Sequence, residues 1–494
     1  MAYDSISTMM VTLLVLLAIS VALLQINIIG KQTLSMTTDI IGGLLLASTC
    51  CMLLLESGWF VLLAPPMSGL LVMALNRYVG IAARSDVLFK NEAQWLSVLL
   101  SGLLVFSWSL YAFDVSFSEF IAVASVIVLI TSVFLHLLLL IHINRYRLNP
   151  HKQLALDQLD ALPTVSMLIP ARNESHALNS SIIKVLQSTY PKLEVLILDD
   201  CSHDKTPEII RSFAHDGARF IEGTPPPDNW LGRNWAQHQL ADAANGELLI
   251  FADVDVKFSK NTIADIVGVM QRDNLDMVSF VPQNSPSGLL GWLLPSLTNF
   301  WLSLIPFRLL HGRASIGRCF AITSESIKQQ PLSNFKHSIY PVYSLTKSLL
   351  KHDVRYKFFY GKNIGMSIQH HYHSTTKSLL RTLSPAISNR FDLGVLIEWF
   401  AVIILGVVSG AFFSGDGLLA VVTFTSVSLL FVTVAYASSG PKSALLALLW
   451  PLHVIHESIH LVISLIRYRF TDLTWKERRV CMPVLQTHEK LPEV

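Results

Sequence analysis

The sequence predicts an α/β domain with a mainly parallel sheet, inserted between N- and C-terminal blocks of α-helical transmembrane segments. Three observations predict it. Apolar residues make up 52% of the 494 positions and charged residues only 15%, where an ordinary soluble chain carries about 25% charge. The shortfall is concentrated in residues 1–144 and 393–467, while residues 150–390 have ordinary polar content. Within that middle segment, short apolar runs alternate with helix-period stretches, and two of the runs end in acidic residues. A net charge of +2 offers nothing to a polyanion, so nucleic acid is not an expected partner. Cys50, Cys51, Cys201, Cys319 and Cys481 show neither a CxxC pair nor Cys/His ligand spacing, which argues against a disulfide framework and a zinc site.

The N-terminal block, residues 1–144, holds about five spans. A span needs about 20 mostly apolar residues. Residues 8–29 meet this and lack the basic start and small-residue cleavage site of a signal peptide. Residues 38–78 are interrupted by Glu56 and by Pro65-Pro66, and read as two short or kinked spans, or as one long span with a re-entrant piece. Residues 92–113 and 118–143 complete the block. Arg77, Arg84 and Lys90 share a side with Arg145 and Arg147 under this count. The bias of Lys and Arg toward the cytosolic face then places the middle domain in the cytosol.

In the middle domain, residues 165–170 read as a buried strand and 174–188 as a helix. Residues 193–198 form a second strand that ends in Asp199-Asp200. Thr206-Pro207 suits an N-cap and first helical position for a helix to Ala214. A strand at 218–222, a helix at 232–244 and a strand at 248–251 ending in Asp253 and Asp255 follow. Ligands of such sheets bind beyond the carboxyl ends of the strands, where these acidic residues fall. Residues 289–311 are apolar but broken by Pro295 and Pro306, as an interfacial element would be.

The C-terminal block, residues 393–467, reads as a tight hairpin of two spans (393–414 and 417–438) and a third segment, 442–467, carrying His453, His456, Glu457 and His460. Ionisable residues at membrane depth mark function by default, although a surface-lying amphipathic helix has the same pattern. Three full spans would put the basic tail, residues 468–494, outside; a re-entrant or interfacial third segment would keep it inside.

Asp253-x-Asp255 after a strand is the chemical centre, because two carboxylates so spaced can share a hard divalent cation through oxygen. Around it stand four runs in order: Pro170-Ala-Arg-Asn-Glu174, Asp199-Asp-Cys-Ser-His-Asp204, Asn229-Trp-Leu-Gly-Arg-Asn-Trp-Ala236 and Ala252-Asp-Val-Asp-Val256. The series resembles family-2 inverting glycosyltransferases of the GT-A fold, in particular membrane-bound enzymes tied to carotenoid and hopanoid glycosylation. The resemblance covers roughly residues 160–400, and more loosely the C-terminal block with its Asp472-Leu-Thr-Trp-Lys-Glu-Arg-Arg479 ending.

The resemblance implies a nucleotide-sugar donor, with Ala171 and Glu174 against the nucleotide. Asp200 would bond the base, uracil by expectation, with Asp199 beside it. Gly232 and Arg233 would stand at the diphosphate. Asp253 would face the ribose or sugar and share a Mg²⁺ or Mn²⁺ ion with Asp255. By themselves, Asp199 and Asp204 also suit turn or helix caps, and Trp230 and Trp235 suit a core.

The family pattern is broken at the base. Inversion needs a group to accept the acceptor hydroxyl proton, and the family supplies it from a Glu-Asp-x-x-Leu run after a segment like Gly317–Thr323. Aligned on Leu345, Pro341 and Val342 occupy the acidic positions. The nearest titratable groups are His337, Tyr340, Tyr343, His352 and Asp353, and His337 is the expected substitute. The family's QxxRW run is missing too; His370-His-Tyr-His373, Lys377 and Arg381 follow instead.

The expected function is therefore metal-dependent, inverting transfer from a UDP-sugar to a lipid or polyprenoid acceptor. The setting would be a bacterial inner membrane, with the domain on the cytosolic side. The alternative is a catalytically silent nucleotide-sugar-binding membrane protein. A polysaccharide-extruding synthase is disfavoured by the missing QxxRW run.

Overall fold

The computed structural model describes residues 117–147, 162–227, 230–294, 318–338, 340–352, 354–386, 391–413, 416–470, 473–476 and 478–481. The spans expected at 8–29, 38–78 and 92–113, most of the interfacial segment 289–311 and the end of the tail lie outside these residues. The chain forms two compact units, residues 1–128 with 390–423 and residues 129–389 with 424–494.

In the described part of the first unit, Ile121, Ala411 and Ala420 pack together. They belong to three long helices: α1 (Phe117–Arg145), α10 (Phe391–Phe413) and α11 (Gly417–Ser439). By length and composition, residues 121–145, 417–439 and 441–468 can each cross a membrane, while 400–413 is a shorter apolar stretch.

The second unit is built on a seven-stranded sheet. In chain order the α/β elements are β1 (Val165–Ala171), α2 (Leu178–Leu186), β2 (Leu193–Asp199), α3 (Thr206–Ser212), β3 (Ala218–Glu222), α4 (Gly232–Ala243) and β4 (Leu248–Ala252). There follow β5 (Val256–Lys257), α5 (Thr262–Arg272), β6 (Met277–Val281), β7 (Gln283–Ser287) and α6 (Gly288–Leu293). Next come β8 (Cys319–Thr323), α7 (Ser324–Gln329), α8 (Pro341–Leu349), β9 (Tyr356–Tyr360), β10 (Ser367–His371) and α9 (Tyr372–Ala386). The strand order is β3-β2-β1-β4-β8-β6-β9, and only β8 runs antiparallel to its neighbours. The mainly parallel sheet read from the sequence is therefore present.

Period-two alternation gives the strands two buried faces. Met167, Ile169, Ile197, Ile250 and Val278 meet Ile182 of α2 and Ile263 and Val267 of α5. Leu168, Leu196, Leu249, Phe251 and Phe320 meet Leu240 of α4 and Leu345 of α8. Each such side chain, fully buried, is worth roughly 1.5–3 kcal/mol. A central strand covered on both sides thus reads as a continuous apolar run, which is how these strands appeared in the sequence.

One sheet edge, β9, is covered by the chain leaving α1. The Tyr360 amide donates to the Tyr146 carbonyl at 3.1 Å, and Phe358 and Tyr360 pack with Leu139 of α1 and with Leu430 and Val434 of α11. A second sheet pairs β10 with β5 and β7 and delivers the chain into α9. The described start of the interfacial segment is α6, whose Leu289 is 76% exposed. Beyond it, α12 (Pro441–Leu446) and α13 (Trp450–Phe470) lead to a short hairpin, β11 (Leu473–Trp475) and β12 (Arg478–Cys481). Helix α13 is bonded to α9: Ser464 Oγ donates to the Leu380 carbonyl at 2.8 Å and Tyr468 Oη to the Arg381 carbonyl at 2.5 Å.

Candidate active site

The carboxyl ends of β1, β2 and β4 and the start of α4 bring the predicted donor residues to one edge of the sheet. Register places Ala171 opposite Asp199. The Asp200 amide then donates to the Ala171 carbonyl at 2.8 Å, which locks the two loops together. Arg172 reinforces them, donating from Nη1 to the carbonyls of Asp200 (2.6 Å) and Cys201 (2.8 Å). Asn173 and Cys201 both have positive φ, 48° and 53°, a region that non-glycine residues enter at a cost and that gathers at functional loops.

Asp204 is a loop staple. Its carboxylate accepts the amides of Ser175 (3.1 Å) and Thr206 (3.0 Å). Slight burial works against the charge, but these hydrogen bonds outweigh it and hold the carboxyl far below the usual range. Thr206 is the first residue of α3 rather than its N-cap, because Asp204 already serves its amide; the Thr206 hydroxyl instead accepts from the Glu174 amide at 2.9 Å. Asp199 is buried: Oδ2 accepts the Ser202 amide at 3.3 Å, while Oδ1 has no partner. Trp230 stacks on His238 and meets Trp235 edge-on, and Trp235 Nε1 donates to the Thr224 carbonyl at 3.0 Å, so the pair braces the approach to α4.

The Asp253/Asp255 pair sits among arginines. Arg233 reaches Asp253 Oδ1 at 2.5 Å. Arg318, just before β8, reaches Asp255 Oδ2 at 3.0 Å and Asp253 Oδ2 at 3.6 Å. Burial pushes Asp253 upward; Arg233 opposes this and Asp255 adds to it. Arg381 of α9 feels the same cluster. Its guanidinium is lowered to about 10, first by burial and then by Arg318 and Arg233.

Asp255 Oδ1 is buried without a partner. An unused carboxylate oxygen beside a second carboxylate fits one face of a hard cation. No group of three or more His, Cys, Asp or Glu that could hold a metal occurs among the described residues.

The acceptor side contains no carboxylate at the position where the family pattern wants one. Pro341 and Val342 open α8 and are both buried. His337 is exposed, on a loop hung from α4 by Asn234, whose Nδ2 faces the carbonyls of Phe335 (3.0 Å), Lys336 (3.1 Å) and Ser338 (2.9 Å). The Leu231 amide adds a bond to the Lys336 carbonyl at 3.0 Å.

Sequence reasoning did not single out Asn234, Arg318 or the cations of the C-terminal hairpin. Arg478 donates from Nη1 to both carboxylate oxygens of Asp200, at 2.7 and 2.6 Å, and Lys476 Nζ bonds the Glu174 carboxylate. Burial raises Glu174 and Asp200, while Lys476 and Arg478 oppose it. The one available signal was the Asp472–Arg479 run, which carries three cations in eight residues.

Residues 166–330 match the family model described as Glycosyl transferase family 2. Among curated relatives, the 4,4'-diaponeurosporenoate glycosyltransferase of Staphylococcus haemolyticus is 33% identical over 98 residues, 19% of this chain and 25% of the relative. The beta-monoglucosyldiacylglycerol synthase of Trichormus variabilis is 28% identical over 122 residues, 24% of this chain and 26% of the relative. The matches thus span about a quarter of these relatives' length. Among solved structures, a mannosyltransferase from Pyrobaculum calidifontis in complex with GDP-Man and Mn²⁺ aligns over 70% of this chain and 98% of its own, with 15% identity and a TM-score of 0.40. The segment that matches the Glycosyl transferase family 2 model lies within the α/β unit and includes the mainly parallel strands with their acidic ends.

Proposed function

We propose that the chain is a membrane-bound, inverting glycosyltransferase that moves a sugar from a UDP-sugar to a lipid or polyprenoid acceptor. One observation carries the reading: Glu174, Asp200, Arg233, Asp253 and Asp255 gather at the carboxyl edge of the sheet, inside the segment that matches family 2. In this reading Asp200 and Glu174 receive the nucleotide, and Gly232 and Arg233 the diphosphate. Asp253 and Asp255 would hold a Mg²⁺ or Mn²⁺ ion, which supplies charge neutralisation of the departing diphosphate. The reaction forms a bond from the acceptor oxygen to the anomeric carbon, breaks the bond from that carbon to the diphosphate and releases UDP. The acceptor proton passes to an imidazole nitrogen of His337, whose loop Asn234 fixes to the start of α4. The apolar α6, with Leu289 and Leu290 exposed, and the long apolar helices favour an acceptor drawn from lipid.

A second reading, a nucleotide-sugar binder without transfer, is favoured by one observation: the acidic positions at the start of α8 are taken by buried Pro341 and Val342. The two readings separate on UDP release by the detergent-purified chain, given a panel of UDP-sugars, membrane lipid extract and Mg²⁺ or Mn²⁺. Metal-dependent release that falls about a hundredfold or more in Asp255→Ala supports transfer. UDP binding without release supports the silent binder.

A further inference from the structure

The C-terminal hairpin lies in the space that the proposed donor needs. Strands of three and four residues do not sustain a hairpin alone in water, so its position depends on what it docks against. Its anchors are charged. Arg478 grips Asp200 through both carboxylate oxygens and reaches the Asp200 carbonyl from Nη2 at 3.3 Å. Lys476, at the turn with φ 46°, bonds the Glu174 carboxylate and the Arg172 carbonyl. Arg172 Nε answers with a bond to the Lys476 carbonyl at 3.1 Å. On its other side the Arg478 guanidinium lies against Gly232, where a Cβ would stand 2.5 Å from Nη1.

These groups are the ones assigned above to nucleotide and diphosphate. Asp200 has two side-chain oxygens and Arg478 takes both. A base N–H arriving at Asp200 must displace a charge-assisted, two-pronged contact. A diphosphate arriving at Gly232 must displace the same guanidinium. We infer that strands β11 and β12, with Lys476, are a latch on the donor site, mutually exclusive with the nucleotide and released as the donor binds; the inference rests on the donor reading of Asp200 and Glu174. The charge-pairing also explains how the two carboxylates tolerate their burial, since removing one partner of a buried ion pair leaves an uncompensated charge. The Asp200 side chain is 7% exposed and that of Arg478 20%. A latch closed about nine-tenths of the time lowers apparent nucleotide affinity about tenfold.

The test is calorimetric titration of UDP into the detergent-purified full chain, paired with hydrogen exchange across residues 473–481. Arg478→Ala and the double variant Lys476→Ala/Arg478→Ala are expected to bind UDP about tenfold more tightly than the unaltered chain. Arg478→Lys, which keeps the charge but loses the fork, falls between them. Saturating UDP should speed exchange of the hairpin amides. Equal or weaker binding by the alanine variants, or slower exchange with UDP, overturns the latch; slower exchange would make the hairpin a clamp over the donor. UDP binding to the unaltered chain without gain in the variants removes the latch alone. If neither the unaltered chain nor the freed variants bind UDP or GDP, the donor reading falls and takes the latch with it.

Discussion

At the ends of β1, β2 and β4 the loops deliver Glu174, Asp199, Asp200, Asp253 and Asp255 to the site, whereas α8 opens on buried Pro341 and Val342. The first group is held by strand register and loop staples, and each carboxylate is answered by a cation, an amide or an unused lone pair. The second region offers an exposed His337 on a loop tied to the start of α4 by Asn234 and the Leu231 amide. The contrast teaches that strand register and loop staples fix the acidic cluster, while the proposed proton acceptor would rest on a surface loop that the sheet scaffold constrains far less.

The largest expected effect tests that division. His337→Gln should lower kcat by roughly 10²–10⁴-fold while leaving the KM for the donor nearly unchanged; steady-state kinetics with Mn²⁺ would show it. An unchanged kcat would falsify the base assignment and move it to another group. A smaller effect comes from the tether between the halves. Asn234→Ala should cost about 1–3 kcal/mol of stability, because the Ser338 carbonyl loses its donor and those of Phe335 and Lys336 keep only a backbone amide, and should lower the midpoint of thermal unfolding. If the tether positions His337, the same variant lowers kcat more than it weakens UDP binding.

The smallest effect lies wholly within the donor half. Asp204→Ala should cost about 1 kcal/mol, as for a lost cap. The Asp204 carboxyl is held below its ordinary range, so its contribution is fully present above a pH of about 3.9 and is lost as the pH falls toward the lowered value. Denaturant midpoints should therefore separate the unaltered chain from the variant at pH 7, and the gap should begin to narrow near pH 3.

Much of the donor half was legible in the sequence because its signals are local. Apolar runs such as Val165–Ile169 and Leu248–Phe251 are the marks of strands covered on both faces, and the acidic residues follow them directly. The Asp253/Asp255 pair was legible as a motif, but its arginine neighbours were not. Arg318 arrives from β8, which is antiparallel to β4, and no periodicity announces a partner across that distance. Asn234 was read only as part of a helix, since its bonds go to a loop about a hundred residues away. Arg478 was hidden for the same reason, more severely: 278 residues separate it from Asp200.

The contact between Arg478 and Asp200 also constrains how the chain threads a bilayer. Two residues that touch lie on the same side of it. The polypeptide between α9 and β11 must therefore traverse the lipid an even number of times, so that among α10, α11 and the joined α12–α13 either two cross or none does. A count of apolar segments permits three crossings, which would part Arg478 from Asp200. Lys476, Arg478 and Arg479 then share a face with Arg145 and Arg147, since the chain after α1 is pinned to β9 by the Tyr360–Tyr146 hydrogen bond. The cations that follow α1 and α13 thus fall on the side of the α/β sheet, the arrangement that orientation by positive charge would favour for helices that cross a membrane.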